Sequence, residues 1–158
     1  MNYTLYTEKI LPIARSLAAM QILADNDGEG EGAHPLSPLL EDFRLPLVKQ
    51  LMLQSYIEMT INLRRYIDEA EIPQADMAFD RFNLSFNTPR GFGSVEADML
   101  LSAMEQIIAL GTVASIMRVW RPESPASADA FSTLAAEYLA RAQSLLSPPF
   151  PEAILPIL

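Results

Sequence analysis

Cysteine is missing from the 158 residues, and histidine and tryptophan occur once each, as His34 and Trp120. Without a thiol the chain has no thiolate nucleophile, no cysteine-ligated zinc or iron–sulfur cluster and no disulfide framework. The lack says little about compartment, because a reducing cytosol permits cysteine without requiring it, and cytoplasmic synthesis is the default expectation. Basic residues are also scarce: 11 Lys and Arg stand against 20 Asp and Glu, a formal charge of −9. Such a balance repels a phosphate backbone and removes the counterion-release term of non-specific nucleic-acid binding. The arginines are scattered, with Arg64-Arg65 the single basic doublet. That doublet reads as a solvated helix end, with Arg64 to Asp68 and Arg65 to Glu69 at pairing distance. A secretory signal is not expected, since the first residues lack a basic region and the apolar run after them is broken by Arg15, so the N-terminus reads as mature protein. A membrane span is not expected either. Gln106 to Met117 is uncharged, but about 20 predominantly apolar residues are needed to span, and Glu105 on one side and Arg118 and Arg121 on the other close the run.

Half of the residues are apolar, enough for one core without metal or disulfide. The richest stretch is Ala97 to Trp120, which carries only Asp98, Glu105 and Arg118 as charges. A helix apolar around most of its circumference must be wrapped by other elements or by partner chains. Its boundaries are marked by Ser94 as a candidate N-cap, Glu96 and Asp98 in the first turn, and Arg118 and Arg121 before Pro122. Gly111 inside it points to close helix packing. An earlier helix is expected over Thr7 to Asp25, with Ile10, Ile13, Leu17, Met20 and Leu23 or Ala24 inward. Its start is either at Pro12 or at a kinked leading turn. A third runs from Pro46 to Ala70 with Val48, Leu51 or Met52, Tyr56, Met59, Leu63 and Tyr66 or Ile67 inward. The last begins after Ser124-Pro125 or at Ser127 and reaches Leu146, burying Phe131, Leu134, Ala135, Tyr138, Ala142, Leu145 and Leu146, with Glu137 and Arg141 as an exposed pair.

Between these helices the period changes only at Arg81 to Asn87, where apolar and polar residues alternate as in a half-buried strand. After the turn at Thr88 to Gly93, Arg90 to Ser94 can return as a second strand, making a small hairpin or extended excursion over about 81–94. Residues 25–38 form an acidic, glycine-rich exposed loop, followed by a short helical turn over Leu39 to Arg44. The chain closes with Ser147 to Leu158, where four prolines forbid regular structure while Phe150, Ile154, Leu155, Ile157 and Leu158 are too apolar for a solvated tail. The expected fold is therefore mainly α: about four main helices in a single domain over 1–146, a small β excursion, and a proline-rich extended arm over 147–158.

No chemical motif survives inspection. Glu31-Gly32-Ala33-His34 matches Glu-x-x-His formally, but di-iron bundles need that pair on helices, twice, with two further glutamates. An EF-hand loop starting at Asp25 puts Gly30 at position six but Leu36 at twelve, where a bidentate glutamate is required. No Gly-x-Ser-x-Gly elbow and no Gly-Lys-Ser/Thr phosphate cradle exist. No catalytic residue, metal site or cofactor is expected. The competing reading is a small helical enzyme or ligand-binding bundle, with a pocket lined by Met52, Met59, Met99 and Met104; methionines at helical spacing are more often core filler.

Three features favour a non-enzymatic assembly protein whose partners are proteins, itself included: excess apolar helix surface, an alternating strand of the kind that pairs between chains, and the apolar arm. The residues expected to bind partners are Phe82, Leu84, Phe86 and Phe92 on the excursion, and Phe150, Ile154, Leu155, Ile157 and Leu158 on the arm. The layout of an early helix, Pro46 to Ala70, an excursion at Phe82 to Phe92, Ala97 to Val119, and a closing helix with Ala135-Ala136-Glu137-Tyr138-Leu139-Ala140-Arg141-Ala142 resembles the small all-helical head–tail connector or completion proteins of tailed phages and prophages. It covers roughly residues 5 to 146 as a pattern, with no diagnostic motif and no functional residues to carry over. Such proteins form homo-oligomeric rings between portal and tail. The resemblance implies a place in the virion and an acidic channel wall past which DNA moves without sticking; the C-terminal arm departs from the family's pattern.

Overall fold

The computed structural model describes residues 1–25, 36–41, 44–74, 79–120 and 125–148. Its N-terminus is a strand, β1 (Asn2–Tyr6), in which Tyr3 and Leu5 point inward while Asn2, Thr4 and Tyr6 point out. The helix α1 (Thr7–Asp25) follows without a linker and carries Pro12 in its second turn. After a single 3-10 turn at Ser37–Leu40 come α2 (Leu45–Asn62), β2 (Ile67–Ala70), β3 (Arg81–Phe86), α3 (Ser94–Trp120) and α4 (Pro125–Leu146). The fold is mainly α, with four helices and one small antiparallel sheet of order β1-β3-β2.

The sheet corrects the expected hairpin. The strand expected at Arg81 to Asn87 is β3, but it does not pair with Arg90 to Ser94. Gly91, at φ +81°, turns the chain tightly, and Ser94 is already helical. The partners of β3 come from elsewhere in sequence: Tyr3 lies opposite Leu84 on one side and Ala70 opposite Leu84 on the other. An isolated hairpin is marginal in water, whereas a strand bonded on both sides over helices has its inner face fully covered. Phe82, Leu84 and Phe86 are accordingly buried.

The second correction concerns α2, which ends at Asn62 and does not reach Ala70. Leu63 N–H still bonds the Met59 carbonyl, but the chain then turns through 63–66 and runs as β2, with Asn87 N–H on the Tyr66 carbonyl and Glu71 N–H on the Asn83 carbonyl. Pairing with β3 outweighs the helical pattern of 63–70. The helical spacing assumed for Arg64 with Asp68 and Arg65 with Glu69 is therefore lost. Tyr56 joins the two layers: its ring stacks on Phe82 at 4.3 Å and its hydroxyl donates to the Glu71 carbonyl at 3.0 Å.

Around α3 the chain's own helices α1, α2 and α4 do the wrapping. Leu100, Met104, Ile108, Leu110 and Val113 are buried. By composition Ser94–Val119 is long and apolar enough to cross a membrane, and most of that surface lies inside the bundle. Fully burying one such side chain contributes roughly 1.5–3 kcal/mol. At its start Gly93 N–H donates to the Glu96 carboxylate at 3.0 Å, one half of a capping box, so the cap is made by Glu96 rather than by Ser94.

The inward stripe of α1 is rotated from the expected one. Ile10, Ala14 and Ala18 are buried, Ile13 and Leu17 are half-buried, and Met20 and Leu23 are 69% and 76% exposed. The small alanines let α1 approach closely, with Ile13 and Leu17 at the flank of the contact and Met20 and Leu23 beyond it. On α4, Phe131, Ala142 and Leu146 are buried, Ala135, Tyr138 and Leu145 are half-buried, and Leu134 faces solvent; Arg141 lies over the Tyr138 ring at 4.9 Å. The expected exposed loop over 25–38 is shorter than that, since Asp25 ends α1 and Leu36 is buried ahead of the 3-10 turn. That turn begins at Ser37 and ends at Leu40, ahead of the expected 39–44.

Close packing at Gly111 is met: a Cβ there would sit 2.7 Å from Ser55 Oγ and 3.1 Å from Ser55 Cβ. Alanine at 111 gains about 1 kcal/mol of helix propensity and loses about 1–3 kcal/mol to overpacking. Gly111→Ala is expected to lower the melting temperature, and Ser55→Gly in the same chain is expected to restore most of the loss; denaturant titration of the double-mutant cycle measures the coupling.

Candidate functional site

Each residue expected to bind partners has a definite place or lies outside the described residues. Phe82, Leu84 and Phe86 are 0%, 4% and 2% exposed and serve their own core, because β3 is the middle strand and its inner face lies on the helices. This is a correction: the alternation that reads as an interchain strand marks an internal one. Phe92 is half-buried against the same core. Phe150, Ile154, Leu155, Ile157 and Leu158, with the arm from residue 149 on, fall outside the described residues, as do His34 and the carboxylates of 26–35.

Among the described residues, two concavities bear on chemistry. The first, about 310 Å³, lies on the outer face of the sheet and is lined by Asn2, Thr4, Glu69, Glu71, Asn83 and Ser85. Strand alternation explains its polarity, since every second residue of β1 and β3 faces water. Thr4 Oγ1 donates to Asn83 Oδ1 at 3.0 Å, and Asn83 Nδ2 donates to Glu71 Oε2 at 3.0 Å. These groups bond one another across the strands. Beneath them burial, with Glu71 adding to it, raises the Tyr56 hydroxyl to about 12, and burial followed by Asp98 raises Tyr3 likewise to about 12. Both phenols stay protonated at neutral pH and act as structural donors.

The second concavity, about 220 Å³, runs between α2, α3 and α4 along Ser55, Glu58, Gly111, Ser115 and Arg118. Its hydroxyls and cation are engaged locally: Ser115 Oγ donates to the Gly111 carbonyl at 2.8 Å, and Arg118 donates to Ser132 Oγ and lies 3.7 Å from Asp129. Of the four methionines in the competing reading, Met59 alone lines this cleft. Met52, Met59 and Met104 fill the core, and Met99 is 54% exposed. Among the described residues no group of three or more His, Asp or Glu side chains is placed to hold a metal.

Glu105 is the one carboxyl on α3 whose environment shifts it upward, because partial burial penalises its charged form more than Lys9 relieves it. A raised carboxyl retains its proton in the folded state when the unfolded chain has already released it. Stability therefore falls as pH rises through the ordinary glutamate range and up to the shifted value. Glu105→Gln is expected to raise the melting temperature at pH 7 and to lose that advantage below the glutamate range. A lower melting temperature at pH 7 would mean that attraction to Lys9 dominates.

The burial of β3 yields a second prediction. Phe82→Ala is expected to destabilise the isolated chain by about 3–5 kcal/mol, measured by denaturant unfolding; an interface residue would leave the isolated chain unchanged.

What this arrangement offers chemically is a polar sheet face on which Thr4, Asn83 and Glu71 bond one another, an interhelical cleft, and exposed apolar side chains near the end of α1. No protein-family model, curated protein or solved structure matches the chain.

Proposed function

We propose that the protein is a non-enzymatic structural subunit that works by binding protein, itself or a neighbouring component of an assembly. The observation that carries this reading is the outer face of α1. Ile10, Ala14 and Ala18 are buried and Ile13 and Leu17 are half-buried against the core, yet toward its C-terminal end the helix leaves Met20 and Leu23 outward at 69% and 76% exposure. Between Lys9 and Asp25 the helix carries one charge, Arg15, and its Nε–H is turned to the Leu39 carbonyl at 2.8 Å. A solvated helix face normally carries charges; an apolar one of this length supports contact with another protein.

The excess apolar surface of α3 no longer supports the reading, because the chain covers that helix itself. Within the proposed class, a ring subunit of a head–tail connector is the specific version, supported by the order of elements and by the −9 charge that suits an acidic channel wall.

The double substitution Met20→Glu/Leu23→Glu tests the reading. Both side chains are exposed, so the unfolding free energy is expected to change by no more than about 0.5 kcal/mol, while multi-angle light scattering shows a discrete multimer of the natural chain that the variant reduces in mass. A natural chain that is monomeric at every concentration, and remains so beside candidate structural partners, would overturn the reading.

A further inference from the structure

The three-stranded sheet has two edges, and they are treated differently. The β2 edge is short, breaks register between Ile67 and Glu69, exposes Asp68 and Glu69, and is followed by Pro73. Those are the devices by which proteins keep a strand edge from pairing with another chain. The β1 edge carries none of them. Asn2-Tyr3-Thr4-Leu5-Tyr6 has no charge and no proline, and its register to β3 is regular over all five residues.

The ladder's parity shows which groups that edge presents. Met1 and Phe86 exchange N–H···O bonds in both directions, at 3.0 and 2.9 Å, and Thr7 N–H bonds the Asp80 carbonyl at 2.9 Å. Odd residues of the strand thus bond inward to β3, and the N–H and C=O of Asn2 and Thr4, with the N–H of Tyr6, point away from the sheet. Among the described residues these outward groups have no backbone partner.

We infer that the free edge of β1 pairs with the β1 edge of a second copy, antiparallel across a two-fold axis at Thr4. This deepens the assembly reading and rests on it, adding a second surface beside α1, so that association can pass beyond a dimer. The self-pairing argument is geometric. Centring on Thr4 sets Thr4 against Thr4 of the partner subunit and Tyr6 against Asn2 of the partner subunit, so outward-pointing residues meet outward-pointing residues. Four N–H···O bonds result: two between the Thr4 residues and one from each Tyr6 N–H to the Asn2 carbonyl opposite. On the core side the buried Tyr3 meets Leu5 of the partner subunit, and no pair in the register sets like charges together. A contact of five-residue strands is small against a standard interface. Its population is therefore expected at about 100 µM rather than at nanomolar concentration.

Residue 4 is the position that isolates the edge, since its N–H does not serve β3. Thr4→Lys and Thr4→Glu each set two like charges against one another on the axis and are expected to lower the mass that the natural chain reaches in sedimentation to what the α1 surface alone supports, with helical circular dichroism retained. An equimolar mixture of the two variants is expected to recover the natural mass. Hydrogen exchange on the unmodified chain gives a readout independent of any variant: the Thr4 amide is expected to slow as concentration rises, while the Tyr3 and Leu5 amides, already bonded to β3, keep their rates. A Thr4 amide indifferent to concentration, or an oligomer unchanged in Thr4→Lys but lost in Met20→Glu/Leu23→Glu, would overturn the edge pairing and leave the assembly reading standing. A natural chain monomeric under all conditions would remove both.

Discussion

Everything in this molecule is arranged around the need to keep α3 out of water. From Leu100 to Met117 only Ser102 is exposed, and no single neighbour could cover a helix apolar on so much of its circumference. Three helices are therefore required, and α1, α2 and α4 supply them. The crossing of α2 over α3 is close because Gly111 leaves room for Ser55. Polar groups on α3 turn back on its own backbone, as Thr112 does to the Ile108 carbonyl and Ser115 to the Gly111 carbonyl, so the buried helix needs no outside partner for them.

The sheet solves a second problem, at the end of the bundle where α3 begins. Tyr3 packs edge-on against Phe86 at 5.7 Å, and its hydroxyl donates to the Ala97 carbonyl in the first turn of α3. Phe82 stacks on Tyr56, Phe79 packs against Phe82, and Lys49 reaches the Phe79 carbonyl at 3.0 Å. Aromatic side chains from β1, β3 and α2 thus close the core by burial of large rings, with each buried hydroxyl given an acceptor. Once β3 is enclosed in this way its apolar face is committed to the chain's own core.

Much of this was legible in the residues. The extent of α3 and α4, the end of α1, and the strand at Arg81 to Phe86 follow from apolar period, Glu96, Pro122 and the alternation Phe82-Leu84-Phe86, whereas Pro12 left the start of α1 open. The missed elements share a cause. β1 and β2 span five and four residues, too few for period alone, and β2 sits where the pattern of α2 continues without a break. They exist as strands because β3 offers backbone groups on both sides, a fact about partners distant in sequence. The C-terminal half of the α1 stripe was misread for a related reason. Ile10, Ile13 and Leu17 lie in or against the core as expected, but Ala14 and Ala18 are buried beside them while Met20 and Leu23 face out, and which residues face in depends on the shape of the neighbour.

By itself the sequence determined a mainly α chain with one dominant buried helix, a surface of strong negative charge, and no cysteine chemistry, since composition and helical period act locally and survive in any packing. Only the tertiary structure decided that α3 is covered by its own chain, that Phe82, Leu84 and Phe86 face inward, and that Met20 and Leu23 face outward. Those outcomes depend on which backbone edges and which faces meet across long separations in sequence, and a strand or stripe has no inside until its partner is in place.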